Sequence, residues 1–178
     1  GHWFMKDMPT KDWIHYYPEF VQTNFRAHGI SDPYKSVSDS VKMSNGWFVK
    51  DMPDVNKSNP LFAKYLIQNS IWWIEYAGID GIRQDTHPYP DKNFMADWIN
   101  AIVAEYPSFY IVGEVWMGNI PHIAYWQKGV KNKDGYQPAL PSVTDFPLCF
   151  AIAQALTENS GWESGVGKLY NVLSQDFI

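Results

Sequence analysis

From residue 59 onward the apolar positions fall into a rhythm. In "SNPLFAKYLIQNSIWWIEYAG", Ala63, Ile67, Ile71 and Ile74 recur at helical spacing. Asn59 stands as an N-cap, Pro60 at the first helical position and Gly78 as the stop. "IDGIRQD" (79–85) then reads as a strand. In "DKNFMADWINAIVAEYP" an Asp cap opens a second helix whose apolar face is Phe94, Trp98, Ile99 and Ile102, ended by Pro107. "FYIVGEV" (109–115) is a β-rich run of the kind buried on both faces of a parallel sheet. A poorly patterned stretch around "KNKDGYQP" follows, with one more helix expected within it. A short strand, "SVTDF" (142–146), then leads into the helix of "PLCFAIAQALTEN".

Residues 1–57 behave differently. They show no sustained periodicity and are broken by "DMPTKDW", "YYPEF", "AHGISDPY" and "MSNGWF". The expectation is an irregular, lid-like subdomain over 1–57 and βα units over 58–178. The alternation of helix and strand, with no hairpin signal, predicts a parallel α/β sheet. Its strands end successively at Asp85, Glu114 and Asp145, about one βα unit apart, on the edge where α/β folds place ligands. No glycine-rich phosphate fingerprint follows any of them. Three strands do not close a barrel, so the pattern fits a small open sheet or part of a larger (β/α)8 domain of about 250 residues.

Composition narrows the partners. The net charge of −5 argues against nucleic acid or an anionic membrane. No apolar run reaches the roughly 20 residues of a membrane span, and "GHWFMKDMP" does not read as a signal peptide. The single cysteine, Cys149, excludes an internal disulfide and leaves the compartment open between cytoplasm and periplasm. Aromatics make up 17% of the chain. A bulky core accounts for most of them, but Trp and Tyr beside loop residues also suit flat partners such as sugar rings.

Arg26 and Arg83 are the two arginines among 14 basic residues, so Arg83 is not there for bulk charge. Residues two apart in a strand share a face, so Arg83 and Asp85 project together. A guanidinium at that distance keeps a carboxylate ionised and aimed, which a nucleophile needs. Glu114 sits between an apolar strand and Trp116, where partial desolvation disfavours a carboxyl's charged form. One acid held charged and one kept protonatable is the division of labour of glycoside hydrolysis. Spacing alone also fits an ordinary Arg–Asp ion pair with an acid at a strand end. Asp145 lacks a nearby Arg and is expected to cap a helix; His87 reads as either a substrate ligand or a turn residue. No zinc-ligand spacing is present. Asp39, Asn45 and Asp51 offer oxygen ligands without the spacing of a calcium loop, so no metal cofactor is predicted.

"GIDGIRQD" and "IVGEVW" resemble the second and third conserved regions of the α-amylase family, glycoside hydrolase family 13. "MPDVN" (52–56) is similar to that family's short fifth region, in the form found in its neopullulanase and cyclomaltodextrinase branch. "HWFMKDMPTKDW" (2–13) resembles the start of the domain inserted into the barrel in Bacteroidota-type members. The resemblance implies a partial TIM barrel, about strands four to six, preceded by the inserted domain. It implies Asp85 as nucleophile, Glu114 as general acid and base, and Arg83 holding Asp85. Trp116, Asn56 and Met52 would line the cleft, with His87 and Tyr89 among the substrate-binding residues. Retention of configuration would follow, with the carboxyls about 5–5.5 Å apart.

Many amylases place Lys-His at the third and fourth positions after the nucleophile, where this chain has Pro88 and Tyr89. That favours the neopullulanase/cyclomaltodextrinase branch over long-chain starch enzymes. The first and fourth conserved regions, and the third carboxylate, are expected outside this chain. The expected partner is an α-1,4-glucan (cyclodextrin, pullulan or maltodextrin), and the resemblance implies a bacterial parent that pairs as a homodimer in many members. The isolated chain is expected to be inactive or nearly so, with exposed sheet edges. A catalytically silent, carbohydrate-binding relative is the alternative, and retention of both Asp85 and Glu114 weighs against it.

Overall fold

The computed structural model describes Asp7 and residues 10–159 and 161–175. Three parallel strands form its sheet in the order β1 (Gly81–Gln84), β2 (Tyr110–Gly113), β3 (Ser142–Val143). Arg83 pairs with Val112 and Gln84 with Gly113 across the first ladder, and Gly113 pairs with Val143 across the second. Helices connect and flank the strands, as the alternating pattern predicts.

α1 (His28–Ser31) and α2 (Val37–Asn45) precede the long helix α3 (Pro60–Ala77). α3 starts where the Asn59 side chain accepts hydrogen bonds from the backbone N–H groups of Leu61 and Phe62. It ends at Gly78, whose φ of 61° is a left-handed conformation that costs glycine nothing. α4 (Lys92–Glu105) opens at Asp91, which accepts from the Phe94 N–H. Its buried face, Phe94, Trp98, Ile99 and Ile102, is the one read from spacing, with Met95 and Ala96 added. α5 (Ile120–Ala124) occupies the poorly patterned stretch, and α6 (Phe146–Thr157) begins at Asp145. There the Asp145 carboxylate accepts from Leu148 N–H, the capping role expected of it.

Three helices, α1, α2 and α7, lie outside the sequence expectation. α2 falls in the stretch read as irregular, and it stays in place because Met43 is buried and the Thr23 hydroxyl donates to the Met43 carbonyl at 3.0 Å. α7 (Val166–Leu173) has no buried residue; it packs along α6, and Lys168 Nζ meets Glu158 Oε1 at 2.7 Å. β3 is also shorter than expected, because Asp145 leaves the ladder to cap α6.

The principal core runs between sheet and helices through Ile99, Ile102, Ile111, Val115, Trp126 and Leu140. Ile30 and Met43 from the first 57 residues join it, which brings that segment against the C-terminal ends of the strands. A smaller cluster seats Trp13 on Phe62, with ring centroids 4.6 Å apart, and ties the chain's beginning to α3.

Candidate active site

β1 and β2 end side by side, and the residues just past their last pair, Asp85 and Glu114, emerge at the same edge. One guanidinium spans them. Arg83 Nη1 donates to Asp85 Oδ1 at 2.7 Å, and Nη2 donates to Glu114 Oε1 at 2.6 Å. The Arg83 pKa is raised, first by the hydrogen bond to Asp85 and further by Glu114. The sequence reading gave Arg83 to Asp85 alone. The second partner comes from the strand register, which no local spacing encodes.

The two acids differ in solvent access. The side chain of Asp85 is 68% exposed and that of Glu114 only 9%. Burial of Glu114 is what the apolar context predicted. Its company is not apolar, however: besides Arg83, the Thr86 N–H donates to Glu114 Oε2 at 3.0 Å. Thr86 has φ 49°, a left-handed conformation that a β-branched residue seldom adopts. That turn aims its N–H at the carboxylate. The next N–H, of His87, donates to the Glu114 carbonyl at 3.1 Å, and Glu114 N–H donates to the Gln84 carbonyl at 2.8 Å. Glu114 is therefore fixed at both its backbone and its side chain.

Two adjoining cavities flank the pair. One, about 220 Å³, is lined by Met43, Phe48, Met52, Asp54, Asp85 and Tyr89 among others. The other, about 300 Å³, is lined by Phe25, Phe48, Thr86, Tyr89, Glu114 and Trp116. Phe48 meets Phe25 edge-on at 5.2 Å and Tyr89 at 5.4 Å, forming a wall of three rings. Trp116 is 68% exposed and stacks on Phe146 at 4.9 Å. Burial, and secondarily the charge of Glu114, raises the Tyr89 pKa, which keeps that phenol a hydrogen-bond donor at neutral pH.

Arg83, Met52, Tyr89 and Trp116 thus meet Asp85 and Glu114 around one cleft. Two expected members do not. Asn56 turns away: its Nδ2 donates to the Asp12 carbonyl at 2.8 Å and its Oδ1 accepts from Ser58 N–H, so it fixes a turn and lines neither cavity. His87 is fully buried, edge-on to Trp126 at 5.5 Å, and presents nothing to the cleft. Phe25, Phe48, Asp54 and Thr86 escaped the sequence reading. Asp54 lies inside the quoted "MPDVN" motif, and its carboxylate is held by His15 Nδ1 at 2.6 Å and Lys57 Nζ at 2.7 Å. Phe25 and Phe48 carried no local signal. Asp145 lies on a separate cavity of about 240 Å³ beside β3.

Among the described residues, no three His, Cys, Asp or Glu gather into a metal-ligating group. Asp39 instead meets Arg26 at 3.3 Å and Asn24. No described helix is long and apolar enough to cross a membrane. The early part of the 2–13 motif lies outside the described residues.

No protein-family model matches the chain. An intracellular maltogenic amylase of Bacillus subtilis (strain 168) is 37% identical over 82 residues, covering 46% of this chain and 13% of the relative. A cyclomaltodextrinase of Thermoanaerobacter pseudethanolicus is 30% identical over 118 residues, 66% of this chain and 18% of the relative. The chain thus spans less than a fifth of the length of these curated relatives. Among solved structures, an α-amylase of Geobacillus thermoleovorans complexed with acarbose superposes with a TM-score of 0.70 at 27% identity. That match covers 98% of this chain and 33% of the other.

Proposed function

Since the chain belongs to the α-amylase family, glycoside hydrolase family 13, in its neopullulanase/cyclomaltodextrinase-like branch, we propose that it carries the nucleophile and general acid of a retaining hydrolase of α-1,4-glucans. Its parallel sheet is part of the family's barrel. The observation that carries the reading is the single guanidinium of Arg83 gripping Asp85 and Glu114 together.

In this reading the exposed Asp85 carboxylate attacks the anomeric carbon, and Glu114 gives a proton to the departing oxygen. A covalent glycosyl intermediate forms on Asp85. Glu114, now anionic, takes a proton from water as that water attacks the same carbon, and Asp85 is released. The contacts Glu114 makes with Arg83 and Thr86 N–H suit the anion of the second step. A sugar filling the cleft excludes water from the reacting centre. Trp116, Phe48 and Tyr89 supply flat surfaces for the pyranose rings.

The division between an inserted subdomain (1–57) and barrel units (58–178) belongs to the same proposal. So do the remaining groups of the site, the third carboxylate included, which the other parts of a full catalytic domain would supply. Cyclodextrin, pullulan and maltodextrin are the proposed substrates, with pairing of the full-length parent as a homodimer.

Hydrolysis of β-cyclodextrin and pullulan by the full-length protein, alongside its Asp85→Asn variant, tests the assignment. Turnover should fall by roughly a thousandfold or more, on the scale of removing a group that acts at the reacting centre. Equal activity of the two proteins would reject Asp85 as nucleophile.

A further inference from the structure

Among the described residues, His87 is buried with no hydrogen-bond partner for either ring nitrogen, and neighbouring Trp126 Nε1 also has none. An imidazole so placed costs free energy that an apolar ring of similar size would not. What the packing shows is where the ring holds the chain. The ring occupies a slot that only a glycine at 113 leaves open. A Cβ there would stand 3.2 Å from His87 Cγ, 3.3 Å from His87 Cβ and 2.4 Å from Leu140 Cδ2. Gly113 immediately precedes Glu114. On the other side, the backbone of Thr86 and His87 supplies the two N–H groups that hold the Glu114 carboxylate and carbonyl. The strained φ of Thr86 persists only if its surroundings enforce it.

We propose that His87 is a positioning residue, its ring wedged between Gly113 and Trp126 so that the Thr86–His87 turn presents Glu114 to the leaving-group oxygen. The inference rests on Glu114 acting as the general acid. The ring works by shape, because desolvation lowers its pKa to about 4 and leaves it uncharged at neutral pH.

A general acid matters where the leaving group is poor. The test therefore compares maltotriose with 4-nitrophenyl α-maltoside, whose phenolate departs with little help, in the full-length protein. His87→Ala should lower kcat on maltotriose by roughly 10–100-fold, with KM changed by less than about twofold. On the aryl substrate the loss in kcat/KM, which reports the glycosylation step and not the base-assisted hydrolysis common to both substrates, should stay under about threefold. His87→Phe, which refills the slot with a ring, should recover kcat to within about threefold. Glu114→Gln provides the reference. If it shows the split between substrates and His87→Ala does not, the positioning role is wrong while the acid assignment stands. A loss in His87→Ala that is equal on both substrates and tracks the folded fraction also overturns it. If Glu114→Gln shows no split, both the acid assignment and this inference fail.

Discussion

Burying His87 makes the stability of the fold depend on pH in a calculable way. In the unfolded chain the imidazole takes up a proton near pH 6.5, whereas in the folded chain desolvation delays this to about pH 4. Between those values the unfolded state binds more protons, so stability falls as the pH falls through that window. The contribution is fully present above about pH 6.5. The whole window amounts to about 3 kcal/mol, and about 2 kcal/mol of it is spent between pH 7 and pH 5. Such a loss is a large share of an ordinary domain's stability of about 5–15 kcal/mol. Asp12, Asp134 and Glu158 also titrate, but their pKa values are lowered, so their contributions disappear only at the acid end of the range. Urea unfolding at pH 7 and pH 5, for the parent and His87→Phe, isolates the imidazole. The parent should lose about 2 kcal/mol more than the variant over that interval. A difference between the two smaller than about 0.5 kcal/mol would refute the reasoning, because a buried, unpartnered His87 cannot be pH-neutral there.

Other outcomes follow from single contacts. Gly113→Ala places a methyl 2.4 Å from Leu140 Cδ2 and should destabilise by about 1–3 kcal/mol, read from the denaturant midpoint, while depressing turnover through Glu114. Asn59→Ala removes the cap of α3 and should cost about 1 kcal/mol in the same assay. Asp134 joins Lys92 Nζ at 2.6 Å to Tyr125 OH at 2.8 Å, and these bonds hold its pKa far below the ordinary carboxylate range against the raising effect of burial. Asp134→Asn should therefore lower the melting temperature at pH 7, with the gap closing as the pH drops below about 4. Trp116→Ala should raise KM for maltooligosaccharides with a smaller change in kcat, measured by initial rates.

Local rules carried the sequence reading a long way. Asn59, Pro60 and Gly78 bracket α3, and Asp91 and Asp145 cap the helices they precede, because capping is settled within four residues. Arg83 and Asp85 were paired correctly because strand geometry fixes neighbours two apart. The second grip of Arg83, on Glu114, needed the inter-strand register and was invisible. The cleft-lining reading of Asn56 and the substrate-ligand reading of His87 are not met for a related reason, whereas the turn reading of His87 is the one seen. A polar side chain in a motif can face the cleft or the fold, and only the packed structure shows Asn56 bound to the Asp12 carbonyl and His87 sealed against Trp126. Phe25 and Phe48 reach the site by tertiary folding of a segment whose pattern announced no element.

The bridge made by Arg83 has a mechanical corollary. Its two ends are anchored on different strands, with residue 83 opposite residue 112 in the ladder. A slip of one residue would turn every side chain of β1 to the opposite face and part the two acids without removing either. Turnover would then work as a gauge of sheet alignment. Any change, however distant, that lets β1 slide along β2 would silence the chemistry well before it melted the protein.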